Sequence, residues 1–178
     1  AMRTSRIKIG TAVLLLPLCH PMHVAEDAAV VDIASKGRLI LGLGMGYQDV
    51  DFAAFGVPKG QRVSLFEEGI EIIKRAWTEE SFSFHGKRYQ LDNVRMTPKP
   101  VQRPRPPLWL GAAAEEALKR AGRLGDAWVT DPTPKMGQVK RRAALYTAAA
   151  REHGREPRIV VLREAWVGPT REEAIAIY

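Results

Sequence analysis

Apolar residues recur along this chain in two alternating rhythms: short continuous runs, and longer stretches with a spacing of three or four. Short runs read as buried strands, and the wider spacing reads as one face of a helix. Ile7–Leu16 is the first run, rich in β-formers and ended by Pro17. Pro21–Ala34 follows with Val24, Ala28 and Val31 at helical spacing and Glu26 and Asp27 early, and Ser35-Lys36-Gly37 supplies a stop with glycine in the left-handed position. Arg38–Gly44 is a second strand, punctuated by Gly42, Gly44 and Gly46. Val63, Phe66, Ile70, Ile73 and Trp77 predict an amphipathic helix. Ser81–Met96 breaks the alternation: Phe82 and Phe84, then Tyr89 and Leu91, flank His85-Gly86 as in a small hairpin. Thr97–Pro107 carries Pro98, Pro100, Pro104, Pro106 and Pro107, a density that excludes helix and central strand and predicts an extended connector. The rhythm then resumes with a strand at Leu108–Gly111, an Ala-rich helix at Ala113–Leu124 capped near Gly125, and a strand at Asp126–Thr130. Met136, Val139, Ala143, Tyr146 and Ala150 place a helix on Pro134–His153, ending at Gly154, and Ile159–Val167 reads as a fifth strand. Thr170, ahead of Glu172 and Glu173, predicts the N-cap of a helix cut off at Tyr178.

Strands separated by helices imply a parallel sheet, because parallel neighbours need a crossover. The pattern leaves two closures open, a doubly wound sheet or part of a barrel. In both, ligands bind at the C-terminal ends of the strands. That directs attention to Ala12–His20, Gly42–Tyr47, Gly111–Glu115, Val129–Pro132 and Glu164–Gly168. A (β/α)₈ barrel takes about 250 residues. The 178 residues here therefore make either a smaller α/β sheet or a barrel lacking some of its units.

Composition narrows the function classes. Hydrophobic residues at 46% supply a core, and charged residues at 26% exclude a disordered tail or a membrane protein. The net charge of +7 raises the question of nucleic acid, but the basic residues are dispersed and Lys140–Arg142 falls on the solvated face of a helical pattern. No nucleic-acid or membrane partner is expected. Cys19 is the only cysteine, which rules out an intrachain disulfide and a Cys-based metal site and fits a reduced, cytoplasmic setting. Ala1 ahead of Met2 reads as an added residue, with Met2 the encoded start.

The strand ends carry the candidate chemistry. In Gly42-Leu43-Gly44-Met45-Gly46-Tyr47 the glycines allow either a close backbone approach to a ligand or a plain turn. The segment is not the dinucleotide fingerprint, since Tyr47 or Asp49 stands where the third glycine belongs, and no Gly-Lys-Ser/Thr makes it a P-loop. Gly111-Ala112-Ala113-Ala114 leads straight into a helix whose free N–H groups suit a phosphate, or is an ordinary strand-to-helix turn. His20 reads as a structural group. Cys19 beside it reads as a small buried hydrophobe, since neighbours on an extended chain point apart. His23, His85 and His153 lack metal-ligand spacing, and no metal is expected. Asp131 either caps a turn or faces the pocket, and Trp109 and Trp128 read as packing residues. No catalytic residue is assigned.

Taken in order, Ile9–Pro17, His20-Pro21, Glu26-Asp27, Asp32, Ser35-Lys36-Gly37-Arg38, Gly42–Tyr47 and Phe55-Gly56 resemble the bacterial luciferase-like monooxygenase family. Glu67–Trp77, the Phe84–Tyr89 hairpin, Pro98–Pro107, Gly111, Gly125-Asp126-Ala127-Trp128 and Arg163–Glu173 continue the match over nearly the whole chain. The resemblance implies an α/β fold that is a partial (β/α)₈ TIM barrel. Ile7–Leu16 would be the third strand and Ile159–Val167 about the seventh, in one partial domain over residues 1–178 with a hairpin and Pro-rich insertion at 81–107. It implies a non-proline cis peptide at Ala12–Val13 under a flavin ring, Gly44, Met45, Gly46 and Tyr47 beside the isoalloxazine, and Gly111, Ala112, Ala113 and Ala114 at the phosphate. Some positions depart from the family. Gly44 and Met45 stand where the light-emitting enzyme has a reactive Cys and then Arg, and Tyr47 where some deazaflavin sugar-phosphate dehydrogenases have a catalytic Glu. Ala112 and Ala113 replace a Gly-hydroxyl pair in the phosphate loop. The implied activity is oxidation of a small organic substrate with reduced FMN and O₂, served by a flavin reductase, in a homo-oligomer. The alternatives are a deazaflavin-dependent hydride transfer, or a catalytically inactive fragment that acts as an assembly module through its open sheet edges.

Overall fold

The first apolar run forms two short strands instead of one. In the computed structural model, which describes residues 3–177, these are β1 (Ile9–Gly10) and β2 (Leu14–Leu15). Both pair in parallel with β3 (Leu39–Gly44), β1 along its start and β2 along its end. Residues 11–13 leave the ladder between them. The Thr11 hydroxyl fills the break, donating to the Gly42 carbonyl at 2.6 Å and accepting the Gly42 N–H at 3.0 Å. One side chain thus satisfies both backbone groups that the interruption would orphan. The strand also stops short of Leu16, because Leu16–Leu18 forms a 3-10 turn with Pro17 in its opening positions, where a missing N–H is tolerated.

The predicted helices form, although Val31, Val63 and Met136 from their expected apolar faces stay exposed. α1 (Pro21–Ala34) precedes β3 and is closed by Gly37 at φ 77°. α2 (Asp49–Ala54) was not predicted, since six residues are too few for a helical rhythm to register. It buries Phe52 and has Asp49 and Asp51 in its first turn. α3 (Arg62–Thr78) leads into the hairpin β4 (Phe82–His85) and β5 (Gln90–Val94). Then come β6 (Leu108–Gly111), α4 (Glu115–Leu124), β7 (Ala127–Val129), α5 (Met136–Glu152), β8 (Ile159–Val160) and α6 (Arg171–Ile177). The predicted N-cap of α6 is present: the Glu173 N–H donates to Thr170 Oγ1 at 3.2 Å. The expectations for Met2 and Tyr178 lie outside the described residues.

The fifth strand is two residues long, not nine as Ile159–Val167 implied. β7 offers it only three residues of partner, and Thr130 ends the pairing by accepting the Leu162 N–H on its hydroxyl at 3.0 Å. As an edge strand it has no ladder on its far side, and Val161 and Leu162 remain exposed.

The sheet order is β1/β2, β3, β6, β7, β8, every pairing parallel. Neighbours in space are neighbours in chain order, with no reversal. A doubly wound sheet requires a reversal at its switch point, so the sheet is an arc of a (β/α) barrel. Alternate side chains Leu39, Leu41 and Leu43, with Leu108, Leu110 and Trp128, pack outward on α1, α3 and α5 through Val24, Phe66, Ile70, Ile73, Trp77 and Tyr146. The intervening residues Gly42, Gly44, Trp109 and Gly111 take the concave face. Among the described residues no helix is long and apolar enough to cross a membrane.

Polar anchors fix the irregular parts. The connector at 97–107 is tied to α1 by Asp32, which is fully buried. Its Oδ2 accepts the Val101 and Gln102 N–H groups at 2.9 and 3.0 Å, and its Oδ1 accepts Gln102 Nε2 at 2.7 Å. At the N-terminal end of the sheet, Lys74 donates to the Leu124 carbonyl at 2.7 Å. Burial, assisted by the charges of Arg105 and Arg155, pushes its ammonium down to about 8. An unfolded lysine titrates near 10.4, so the folded chain holds this proton less tightly. The resulting penalty is full below about pH 8 and fades as pH rises to about 10.5, so this group's contribution to stability increases with pH across that window. Lys74→Met is expected to remove that rise, of the order of 2 kcal/mol after solvent screening. Urea midpoints of both proteins at about pH 7.5, 8.5 and 9.5 check it.

Candidate cofactor site

The C-terminal ends of β3 and β6 meet at Val13, the residue just ahead of β2. A Cβ on Gly42 would lie 1.9 Å from the Thr11 carbonyl oxygen, and one on Gly44 would lie 2.4 Å from Val13 Cγ2. Only hydrogen at these two positions lets residues 11–13 lie flat on β3. On the other side, a Cβ on Gly111 would sit 3.5 Å from Val13 Cγ1. Val13 therefore covers two strand ends at once, half-buried, with Ala12 exposed beside it. The Ala12–Val13 peptide is cis. The glycine run divides between its two readings. Gly42 and Gly44 serve close approach, whereas Gly46, at φ 75° and against the Phe52 ring, is a turn. Met45 packs on the core, while Tyr47 stands 79% exposed at the rim.

The second half of the site follows Gly111. The helix predicted from Ala113 starts two residues later, and Ala113 and Ala114 stay outside it. Ala114 is an extended N-cap at φ −78° and ψ 153° that makes no side-chain hydrogen bond, so the first-turn N–H groups of α4 are not capped. The loop is held from behind, where Trp128 Nε1 donates to the Ala112 carbonyl at 2.8 Å. Glu115 and Glu116 occupy the first turn and would repel an anion, but Lys119 pairs with both at 3.3 and 2.9 Å. An apolar shelf and an anion-compatible helix start thus lie on adjacent strands.

The sequence profile of the luciferase-like monooxygenases matches residues 1–178. The chain belongs to this family. It is 30% identical over 177 residues to the FMNH(2)-dependent dimethylsulfone monooxygenase of Pseudomonas putida, covering 98% of this chain and 48% of that one. It is 28% identical over 179 residues to the oxygenase component of the flavin-dependent trigonelline monooxygenase of Acinetobacter baylyi, covering 98% and 49%. The crystal structure of monooxygenase RslO1 from Streptomyces bottropensis superposes with a TM-score of 0.90 at 28% identity, covering 98% of this chain and 55% of that one. The chain spans about half the length of the curated relatives it matches.

The remaining residues of this luciferase-like chain take mostly structural places. His20 Nδ1 accepts the Met22 N–H at 3.3 Å as the N-cap of α1, and burial and His23 lower its basicity. Burial, then the charge of Asp27, raises the Cys19 thiol above its ordinary value, which opposes a nucleophilic role. Asp131 pairs with Arg142 at 2.9 Å and so ties the start of the β7–α5 loop to α5. Two residues escaped the sequence reading. Thr11 repairs the broken ladder; its only signal was a lone hydroxyl in an apolar run. Glu68 accepts the N–H groups of Lys87, Arg88 and Tyr89 at 3.0, 2.8 and 3.2 Å and so sets the hairpin turn, which holds the Tyr89 ring edge-on to His20 at 5.5 Å. Nothing local marks Glu68 among the other charges of α3. A groove of about 600 Å³ lies elsewhere, on the outer side of the free β1 edge, between Ile9, Leu39 and Leu41 and the α1 residues Val24, Ala28 and Val31.

Proposed function

We propose that this chain supplies the flavin shelf and phosphate loop of an FMN-dependent monooxygenase that oxidises a small organic substrate with O₂. The observation that carries this reading is Val13 seated over Gly44 and Gly111, one strand end away from the uncapped start of α4. FMN has a flat apolar ring at one end and a dianionic phosphate at the other, and this pairing of surfaces suits both. Ala12 and Val13 would support the ring, Gly44, Met45, Gly46 and Tyr47 would flank it, and the backbone of Gly111, Ala112, Ala113 and Ala114 would lead the phosphate to the N–H groups of α4. Bound reduced flavin supplies the electrons that activate O₂. The chain's own part is to orient the ring and keep water from one of its faces.

The Pseudomonas putida relative, named for FMNH(2), supports FMN over a deazaflavin. The Acinetobacter baylyi relative, named as an oxygenase component, supports a separate flavin reductase as partner. Self-association is supported by α1, which buries Val24, Ala25, Ala28 and Ala29 on one side yet exposes Val30, Val31 and Ile33 on the other. Three large apolar side chains exposed along the last turns of one helix suit a contact with another surface. The single cysteine fits action in the cytoplasm.

FMN titration followed by flavin fluorescence tests the site. Saturable quenching is expected, and Gly44→Val, which drives a stiff side chain into Val13, is expected to weaken it at least about tenfold, or 1.4 kcal/mol. Absence of binding at about 1 mM FMN, or equal binding by the variant, would remove these residues from the cofactor site.

A further inference from the structure

At the opposite end of the strands from Val13, three cations gather around one carboxylate. Arg105 grips Asp126 with both terminal nitrogens at 2.6 and 2.9 Å, and the Leu108 N–H adds a bond at 2.7 Å. These bonds engage both oxygens of Asp126. Arg155 is left with a contact of 3.7 Å to the same carboxylate, and its Nε is buried with no hydrogen-bond partner. Lys74 enters from α3 and donates to the Leu124 carbonyl, within range of the charges of Arg105 and Arg155. An ammonium has three donors, and this carbonyl takes one. The negative groups facing Lys74 are Asp126 and Glu71. The Tyr146 hydroxyl, beside Asp126 and Arg155, is already engaged with the Arg158 N–H at 3.4 Å. Positive charge is therefore in excess where burial makes it costly. The three basic side chains are only partly buried, so solvent ions can approach.

We propose that Lys74, Arg105 and Arg155 form a binding site for a small tetrahedral oxoanion, of the phosphate or sulfate class, at the N-terminal end of the sheet. The anion accepts from the terminal nitrogens of Arg155, whose own Nε is covered, and from the spare donors of Lys74, while Arg105 keeps its grip on Asp126 and contributes charge. Lys74 lies on α3, Arg105 on the connector before β6, and Arg155 on the turn after α5. A single ligand thus ties together three segments distant in sequence. This end of a barrel governs stability and not chemistry, so the effect falls on the fold, increasing with anion concentration by mass action.

Calorimetric titration of sodium sulfate into the 178-residue chain near pH 8, in two buffers of different ionisation enthalpy and with sodium chloride at matched ionic strength as reference, tests the site. Saturable binding is expected, with uptake of about half a proton per sulfate, because a lysine poised at about 8 is drawn back to its charged form by the anion. Arg155→Gln is expected to weaken binding at least about tenfold. Lys74→Arg is expected to retain binding but lose the proton uptake, and Lys140→Gln, on the exposed face of α5, to change neither. Lack of saturable binding up to about 20 mM sulfate, equal binding by Arg155→Gln, or proton uptake that survives Lys74→Arg overturns the proposal. Should Lys74→Arg fail to fold, the Arg155→Gln comparison decides alone.

Discussion

Gly42→Ala is expected to be among the most damaging single substitutions in this chain, lowering the unfolding free energy by about 3 kcal/mol or more. The added Cβ would fall 1.9 Å from the Thr11 carbonyl oxygen. That neighbour is backbone, so no rotamer change relieves the clash, and one strand must move off the other. Movement there also breaks the two bonds between the Thr11 hydroxyl and Gly42, at 2.6 and 3.0 Å. It further lifts Val13 from its seat over Gly44 and Gly111, so whatever FMN binding the chain has should fall with stability. Gly137→Ala is the internal control. Its Cβ meets nothing within 4 Å and the site is helical, so it should be neutral or stabilising by up to about 1 kcal/mol. Urea unfolding of the two variants side by side checks the contrast. A Gly42→Ala midpoint indistinguishable from the parent would mean that residues 11–13 do not press on β3 as described.

Asp32→Ala is expected to be comparably severe, at about 3–5 kcal/mol. The carboxylate is fully buried and serves three donors, the N–H groups of Val101 and Gln102 and the Gln102 side-chain amide. The amide keeps its second acceptor, the Leu39 carbonyl at 2.8 Å, but both backbone N–H groups lose the carboxylate that accepts from them. The connector between the hairpin and β6 then has no polar tie to α1. Besides a lower urea midpoint, faster proteolytic nicking within residues 97–107 is expected. Asp32→Asn, which preserves one acceptor oxygen, should lie between the two. An Asp32→Ala protein within about 1 kcal/mol of the parent would show that water replaces the carboxylate there.

Asp32 and Gly42 also show how much could be read before any fold was known. Gly42 stood out by composition, yet its two readings, ligand approach or turn, were both incomplete. The close approach is to the chain's own residues 11–13, a neighbour across a strand pair and 31 positions away. Asp32 belonged to the ordered motif, but its partners lie 69 and 70 positions away, and no local rhythm reports such a distance. The segments Gly42–Tyr47 and Gly111–Ala114 were legible as strand ends, because a short continuous apolar run followed by glycine locates a strand end well. Glu68 and Thr11 were not legible, because a side chain that satisfies distant backbone groups leaves no periodic trace.

By itself the sequence determined the alternation of strand and helix, the parallel sense of the sheet, the hairpin, the Pro-rich connector and the family. These depend on side-chain spacing, glycine and proline backbone limits, and motif order, all local or additive along the chain. Tertiary structure decided the rest. It showed that strand order runs without reversal and that the first run breaks in two at Thr11. It ended the last strand after two residues for want of a partner. It also gathered Lys74, Arg105 and Arg155 around one carboxylate. Ladder pairing, close backbone contact and charge balance each depend on the distance between residues far apart in sequence, and only the folded chain sets that distance.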